Sequence, residues 1–153
     1  MNLEVGTVFR WNNFPFQKYG SEVKARWFVC VGSSGLFAQI AMVYLCTTTT
    51  QTDKFKGGGN RCNHSHFKFE ISQFPEFEED CVIDFDEKPY SMEKNRLLSY
   101  KDDIETRGKL NDNILRMVYK RLQQSGLLSY VEKCDIYDSF NRCGITGLKR
   151  PKR

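Results

Sequence analysis

The chain contains no long hydrophobic run. The longest mostly apolar stretch, residues 36–46, includes Gln39 and falls far short of the ~20 residues that cross a bilayer. Residues 1–11 also lack the basic segment followed by an apolar segment that marks a secretory signal. We therefore expect a cytoplasmic protein that does not enter a membrane.

The sequence also lacks internal repeats and any cysteine spacing typical of a disulfide framework. Its six cysteines are scattered through 153 residues, whereas disulfide-rich domains are short and secreted. Cys30 and Cys46 lie in apolar strand patterns, where reduced cysteine behaves as a small hydrophobic residue. With 40% hydrophobic and 14% aromatic residues, the composition predicts a globular domain with one core.

Acidic residues are absent from the last five positions. Residues 149–153 carry four positive charges, and the whole chain has 23 basic and 19 acidic residues, so the remaining body has 19 of each. A field that attracts a polyanion must then be local, and Lys18, Lys24 and Arg26 are close enough in sequence to create one. We assign the basic tail a non-specific electrostatic role.

Runs of β-branched and aromatic residues predict five strands, at residues 5–11, 26–31, 40–47, 66–71 and 81–85. A helical turn over residues 91–98 and a shorter strand near residues 99–104 are expected to follow. This order of strands first and helix last predicts a mainly β, α+β fold with a C-terminal helix. We expect a small, strongly curved antiparallel barrel of SH3-like type.

The terminal helix has the clearest local signals. Asn111 or Asp112 can cap its first turn, and Gly126 is its expected stop. One apolar stripe is formed by Ile114, Leu115, Val118 and Leu122.

Arg26 is the leading candidate for binding a phosphate group. It lies where a polar turn runs into an apolar strand, and its guanidinium stays charged and matches two phosphate oxygens. The hydroxyls of Ser21, Thr47, Thr48 and Thr49 would add neutral donors if the two strands are neighbours. Alternatively, Arg26 is a solvated edge charge and the threonine run reflects strand propensity alone.

Aromatic residues interleave with these basic ones, at Trp11, Phe14, Phe16 and Tyr19. Unstacked bases of single-stranded RNA can stack on such rings. The alternative is that at least two of the four rings pack beneath the first loop.

A separate constellation, Cys62, His64 and His66, places three possible zinc ligands within five residues. Structural zinc sites usually pair two separated ligand clusters, and the nearest further cysteine, Cys81, has no paired partner. We therefore interpret the two histidines as partly exposed residues at the start of a strand.

Several of these features, taken in order, resemble the MazF/PemK family of toxin endoribonucleases. The chain has Gly6-Thr7-Val8, then Gly20-Ser21-Glu22, then Arg26, then the strand at residues 43–48 and finally residues 80–86. The resemblance covers residues 6–122. It departs from the family pattern at Trp27, where proline is usual, and at Asp84, where some members carry a second arginine. It implies an SH3-like barrel of the MazF/PemK/CcdB type for residues 1–130, followed by a C-terminal extension at residues 131–153.

The resemblance implies a metal-independent, sequence-preferring endoribonuclease, with no cofactor, that cleaves single-stranded RNA as the mRNA interferase toxin of a toxin-antitoxin system. The ribose 2′-hydroxyl would attack the adjacent phosphorus and leave a 2′,3′-cyclic phosphate, so DNA is not a substrate. Arg26, Thr48 and Ser21 would stabilise the charged phosphate, and Asp86 or Glu22 would act as the base. RNA contacts are assigned to Lys18, Tyr19, Gly20, Lys24, Trp11, Phe16, Thr47 and Thr49.

The same resemblance implies two protein partners. The first is a second copy of the chain in an isologous homodimer. The second is a cognate antitoxin whose acidic, disordered tail folds onto the dimer and blocks the site. The alternative is a non-catalytic SH3-like module that binds RNA or a protein partner with the same surface.

Overall fold

The chain folds around one antiparallel sheet. The computed structural model describes residues 1, 3–17, 22–35 and 39–153. The strands found there are β1 (Thr7–Phe14), β2 (Lys24–Ser33), β3 (Met42–Thr49), β4 (His66–Phe69), β5 (Cys81–Asp84), β6 (Tyr90–Glu93) and β7 (Ile104–Lys109). The helices are α1 (Lys94–Leu98), α2 (Asp112–Gln124) and α3 (Tyr130–Arg142), with short 3₁₀ turns at Thr52–Phe55 and Lys101–Asp103. No helix in these ranges combines the length and apolarity needed to span a membrane.

The strands lie in the order β4-β5-β3-β2-β1-β7, and each neighbouring pair is antiparallel. β3 is shared by two short strands along one edge. Its first half pairs with β6, and its last two residues, Thr48 and Thr49, pair with Ile83 and Val82 of β5. The end of β3 therefore lies between β5 and the start of β2.

The predicted closed barrel is wrong. β4 pairs only with β5 and β7 only with β1, and no ladder joins these two outer strands within the described ranges. After β7 the chain enters α2 and α3, whose buried residues join the core on one face of the sheet, so no further strand closes it. The coarser prediction, a mainly antiparallel β fold with a C-terminal helix, is confirmed.

All five strands predicted from the sequence are present, with ends that shift by at most three residues. The sixth is displaced: residues 101–103 form a 3₁₀ turn, and β7 begins only at Ile104. The predicted helical turn starts later than expected because residues 90–93 pair with β3 as β6 before α1 begins.

Asn111 caps α2, as its sequence predicts. The Asn111 side-chain oxygen accepts a hydrogen bond from the Ile114 backbone N–H at 3.0 Å, which satisfies one of the free donors of the first turn. The buried face of the helix consists of Leu115, Val118, Tyr119 and Leu122.

The structure adds α3, which the sequence patterns did not reveal. Its first turn is held by a capping box, in which Ser129 and Glu132 each bond the other's backbone N–H. Ile136 and Phe140 are fully buried in the same core as the sheet. Gly32 of β2 permits this close approach, since a Cβ there would lie 3.3 Å from the Ile136 Cα. Residues 131–153 therefore contribute to the core formed by the first 130 residues.

Candidate functional site

Two adjoining cavities mark the place where β2 begins and β3 ends. Their volumes are about 300 and 230 Å³. Antiparallel pairing of Phe28 with Thr47 brings these two strand ends side by side. We call the combined depression the β2–β3 groove; both of its cavities are lined by Lys24, Arg26, Thr48, Thr49 and Gln51.

Arg26 has unsatisfied hydrogen-bonding capacity in this groove. Its side chain is half-buried, and its Nε atom is shielded from solvent with no hydrogen-bond partner among the residues described. No carboxylate of that same set forms an ion pair with it. Because a buried donor without a partner is costly, the guanidinium is suited to receive an anion that enters the groove.

The threonine hydroxyls of the groove differ in the hydrogen bonds that they already make within the protein. Thr47 donates to the Trp27 carbonyl oxygen at 3.3 Å, which ties the end of β3 to β2. The Thr49 hydroxyl oxygen accepts from the Gln51 backbone N–H at 3.2 Å, which leaves its hydrogen able to donate to a ligand. Thr48 is buried beside Cys81 and hydrogen-bonds to it.

Cys81 also lines the groove, and its environment disfavours the thiolate form that a nucleophile needs. Burial raises the pKa of the Cys81 thiol to about 12, against the opposing effect of the hydrogen bond with Thr48. Since the thiolate is the reactive form, Cys81 stays protonated and inert at neutral pH.

The second cavity contains a charge network that sequence reasoning missed. Arg61 contacts two carboxylates, Asp84 at 3.3 Å and Glu87 at 3.1 Å. His64 donates through Nδ1 to the same Asp84 oxygen at 2.8 Å. Arg61 comes from the loop between β3 and β4, which has no periodic pattern that would place it here.

The first cavity contains two carboxylates of different status. Glu78 is paired with Arg107 at 2.9 Å. Glu79 forms no ion pair within the described part of the chain. Among the carboxylates that line the two cavities, Glu79 is the one that forms no ion pair within the described ranges, and it lies just before β5.

Both residues predicted to be the base lie outside the groove. Asp86 is exposed and lines a different cavity beside Ser65 and Arg121. Its backbone N–H bonds the Asp84 carboxylate, so the chain turns immediately after β5. Glu22 is exposed, and its backbone carbonyl accepts a hydrogen bond from Gln17.

The aromatic predictions also require correction. Trp11 is fully buried on the inner face of β1, with the ring of Phe14 5.0 Å away, so it cannot stack on a base. Phe16 is half-buried, with the Arg96 guanidinium 4.2 Å from its ring centre, and does not line the groove. Four further predicted residues, Lys18, Tyr19, Gly20 and Ser21, lie outside the described residues.

Three possible metal ligands meet near the second cavity, but they differ from the predicted set. His64, Asp84 and Asp86 each place one ligand atom within 4.8 Å of the others. Cys62 and His66 are not members of this cluster, and the His66 Nδ1 donates to the His64 carbonyl oxygen instead. A cation bound there would have to compete with Arg61, which already contacts Asp84.

Comparisons with family models, curated proteins and solved structures find no match to this chain. The resemblance to the MazF/PemK family therefore stays a prediction.

Proposed function

We propose that the β2–β3 groove binds and cleaves single-stranded RNA without a metal ion. The observation that carries this proposal is the half-buried Arg26, whose Nε has no hydrogen-bond partner among the described residues, at the junction of two cavities beside Lys24, Thr48 and Thr49. A phosphodiester carries one negative charge shared by two non-bridging oxygens, at the spacing that a guanidinium fork recognises.

The reaction is attack of the ribose 2′-hydroxyl oxygen on the adjacent phosphorus, with departure of the 5′ oxygen. Glu79 takes the proton of the 2′-hydroxyl, in place of Asp86 and Glu22. Lys24, exposed and without an ion-pair partner among the described residues, gives a proton to the leaving oxygen. Arg26 and the Thr49 hydroxyl stabilise the charge that develops on the phosphate. The products are a 2′,3′-cyclic phosphate and a 5′-hydroxyl, and DNA lacks the attacking group.

The proposal retains the two partners implied by the family resemblance. A homodimer would need an apolar contact surface, and Leu127, Tyr130 and Val131 are exposed around the connection between α2 and α3. An inhibitor with an acidic tail would compete with RNA for Lys24 and Arg26, so both complexes would weaken as salt is raised.

A second candidate function is RNA binding without cleavage. This alternative is favoured by the position of Asp86 and Glu22 outside the groove. More groove residues are then suited to bind a phosphate than to transfer a proton. Under this alternative, the protein retains RNA without generating cyclic-phosphate ends.

The test is cleavage of an end-labelled RNA in EDTA by the wild-type protein and by Arg26→Ala. Losing one preorganised charged donor is expected to slow cleavage by about 10²–10³-fold. Arg121→Ala is the matched control, because it removes an exposed arginine outside the groove. Cleavage by folded Arg26→Ala at the wild-type rate would refute the site, and strict metal dependence would refute the mechanism. Binding without product would support the second candidate.

A further inference from the structure

A second concave surface lies between α2 and the C-terminal segment. Its cavity has a volume of about 450 Å³ and shares no lining residue with the β2–β3 groove. Six of its lining residues are basic and none is acidic. We call it the basic cleft; its cations are Arg116, Lys120, Lys133, Lys149, Arg150 and Lys152.

The C-terminal segment forms a fixed wall of this cleft. The Tyr119 hydroxyl donates to the Lys149 carbonyl oxygen, and Arg116 donates to the Thr146 carbonyl oxygen at 2.7 Å. The Arg150 guanidinium lies 5.9 Å from the ring centre of Tyr137. These contacts hold the backbone at Thr146 and Lys149, and the Arg150 side chain, against α2 and α3.

The positive charge of the cleft is not neutralised within the protein. None of its six cations forms an ion pair in the part of the chain that the structure describes. With these six set aside, the chain has 17 basic and 19 acidic residues. The excess positive charge of the whole protein is therefore concentrated here, which favours binding of an external anion.

We propose that the basic cleft binds the phosphate backbone of single-stranded RNA at a site separate from the β2–β3 groove. The choice of RNA as the ligand rests on the proposed function, whereas the anion-binding cleft does not. A concave surface suits a strand better than a flat membrane. Tyr119 is buried and its hydroxyl is engaged, so the cleft offers phosphate contacts without a ring that reads bases. It holds the strand without selecting its sequence.

The test measures binding of a labelled, non-cleavable 2′-O-methyl RNA as a function of salt. The variant is K120Q/K152Q, because both lysines are exposed and their side chains form no hydrogen bond or ion pair with described residues. The control is K94Q/K101Q, which removes the same charge from exposed positions outside both the cleft and the groove. A thermal melt of each variant verifies that its fold is retained.

K120Q/K152Q is expected to bind the RNA about tenfold more weakly. The slope of the logarithm of the binding constant against the logarithm of the salt concentration should fall in magnitude by about 0.7 for each phosphate group that the protein no longer neutralises. The control should bind as the wild type does. Unchanged affinity and slope in K120Q/K152Q would overturn the proposal. Equal competition by a polyglutamate peptide of the same charge would overturn it too, because the cleft would then recognise negative charge without phosphate.

The outcome separates this proposal from the proposed function. If the wild-type protein cleaves no RNA but K120Q/K152Q loses affinity, the cleft is supported and the nuclease assignment fails. If cleavage is observed while K120Q/K152Q binds normally, the groove is supported and the cleft fails. The same binding measurement in the Arg26→Ala background should still show the loss of affinity, since the two surfaces share no residue.

Discussion

The Nδ1 atom of His64 lies 2.8 Å from the Oδ2 atom of Asp84, and Arg61 contacts the same oxygen from 3.3 Å. Asp84 is almost fully buried at the end of β5. Its carboxylate thus fixes the loop that carries Arg61 and His64 against the sheet. Arg61 and Asp84 line the second cavity of the groove together with Lys24 and Arg26 of β2.

Removing the Asp84 carboxylate should therefore destabilise the protein. We expect Asp84→Ala to lower the free energy of unfolding by about 1–3 kcal/mol, because His64 loses its acceptor and Arg61 keeps only Glu87. Asp86→Ala is the matched control, since Asp86 is exposed and its substitution should change stability by less than about 0.5 kcal/mol. Urea unfolding measures both. Equal effects would mean that Asp84 does not hold the loop.

The role of α3 in the core gives a second prediction. Ile136→Ala should cost about 2–5 kcal/mol, since the side chain is fully buried between α3 and β2. Val131→Ala, on the same helix but 66% exposed, should cost far less. Thermal unfolding of the two variants decides the point. Similar melting temperatures would show that residues 131–153 are dispensable for the fold.

Glu132, in the first turn of α3, should make the stability of the protein depend on pH. Burial acts to raise the pKa of Glu132, but hydrogen bonds from Ser129 and the nearby Lys88 outweigh it and lower the pKa overall. A depressed folded-state pKa gives stability that is present above the unfolded pKa and lost as pH falls through the folded one. We expect the stability difference between wild type and Glu132→Gln to shrink on acidification below the normal glutamate range. A difference that stays constant with pH would contradict this linkage.

Four of the six cysteines should divide into two classes of reactivity. Burial raises the pKa of Cys30, Cys46 and Cys81 to about 12 in each case, whereas Cys143 is exposed. Alkylation with iodoacetamide, followed by mass spectrometry, should label Cys143 in the folded protein and the other three only after unfolding. Labelling of Cys81 at the rate of Cys143 would mean that the groove is more open than the structure has it.

Local sequence patterns were sufficient to bring Arg26 and the threonines together. Each lies at the end of a clearly patterned strand, and antiparallel pairing then makes the two ends neighbours. The alternation of β1 also places Trp11 on the same inner face as Phe9, so its burial was readable from the sequence. Closure of the sheet into a barrel could not be predicted in this way. It depends on whether the two outer strands, β4 and β7, pair with each other, and no local sequence pattern specifies that pairing.

Asp86 lies outside the groove for a specific physical reason. In a continuous strand, Asp84 and Asp86 would share one face, but the Asp86 backbone N–H bonds the Asp84 carboxylate and the chain turns away. The position of Arg61 could not be predicted from the sequence, because residues 57–64 form turns and bends. The path of such a segment is set by its contacts with the rest of the folded protein. Such residues reach a site through tertiary interactions alone.

The proposed assignment of Glu79 as the base gives the last prediction. If Glu79 accepts the proton of the 2′-hydroxyl, Glu79→Gln should lower the cleavage rate by about 10²-fold or more while leaving RNA affinity nearly unchanged, since the amide keeps the shape but cannot take the proton. Asp86→Asn and Glu22→Gln are matched controls that make the same chemical change outside the groove. Single-turnover cleavage with excess enzyme isolates the chemical step from product release. A large loss of rate in Asp86→Asn with none in Glu79→Gln would show that Asp86, and not Glu79, is the base. The RNA would then have to extend beyond the groove to the cavity that Asp86 lines.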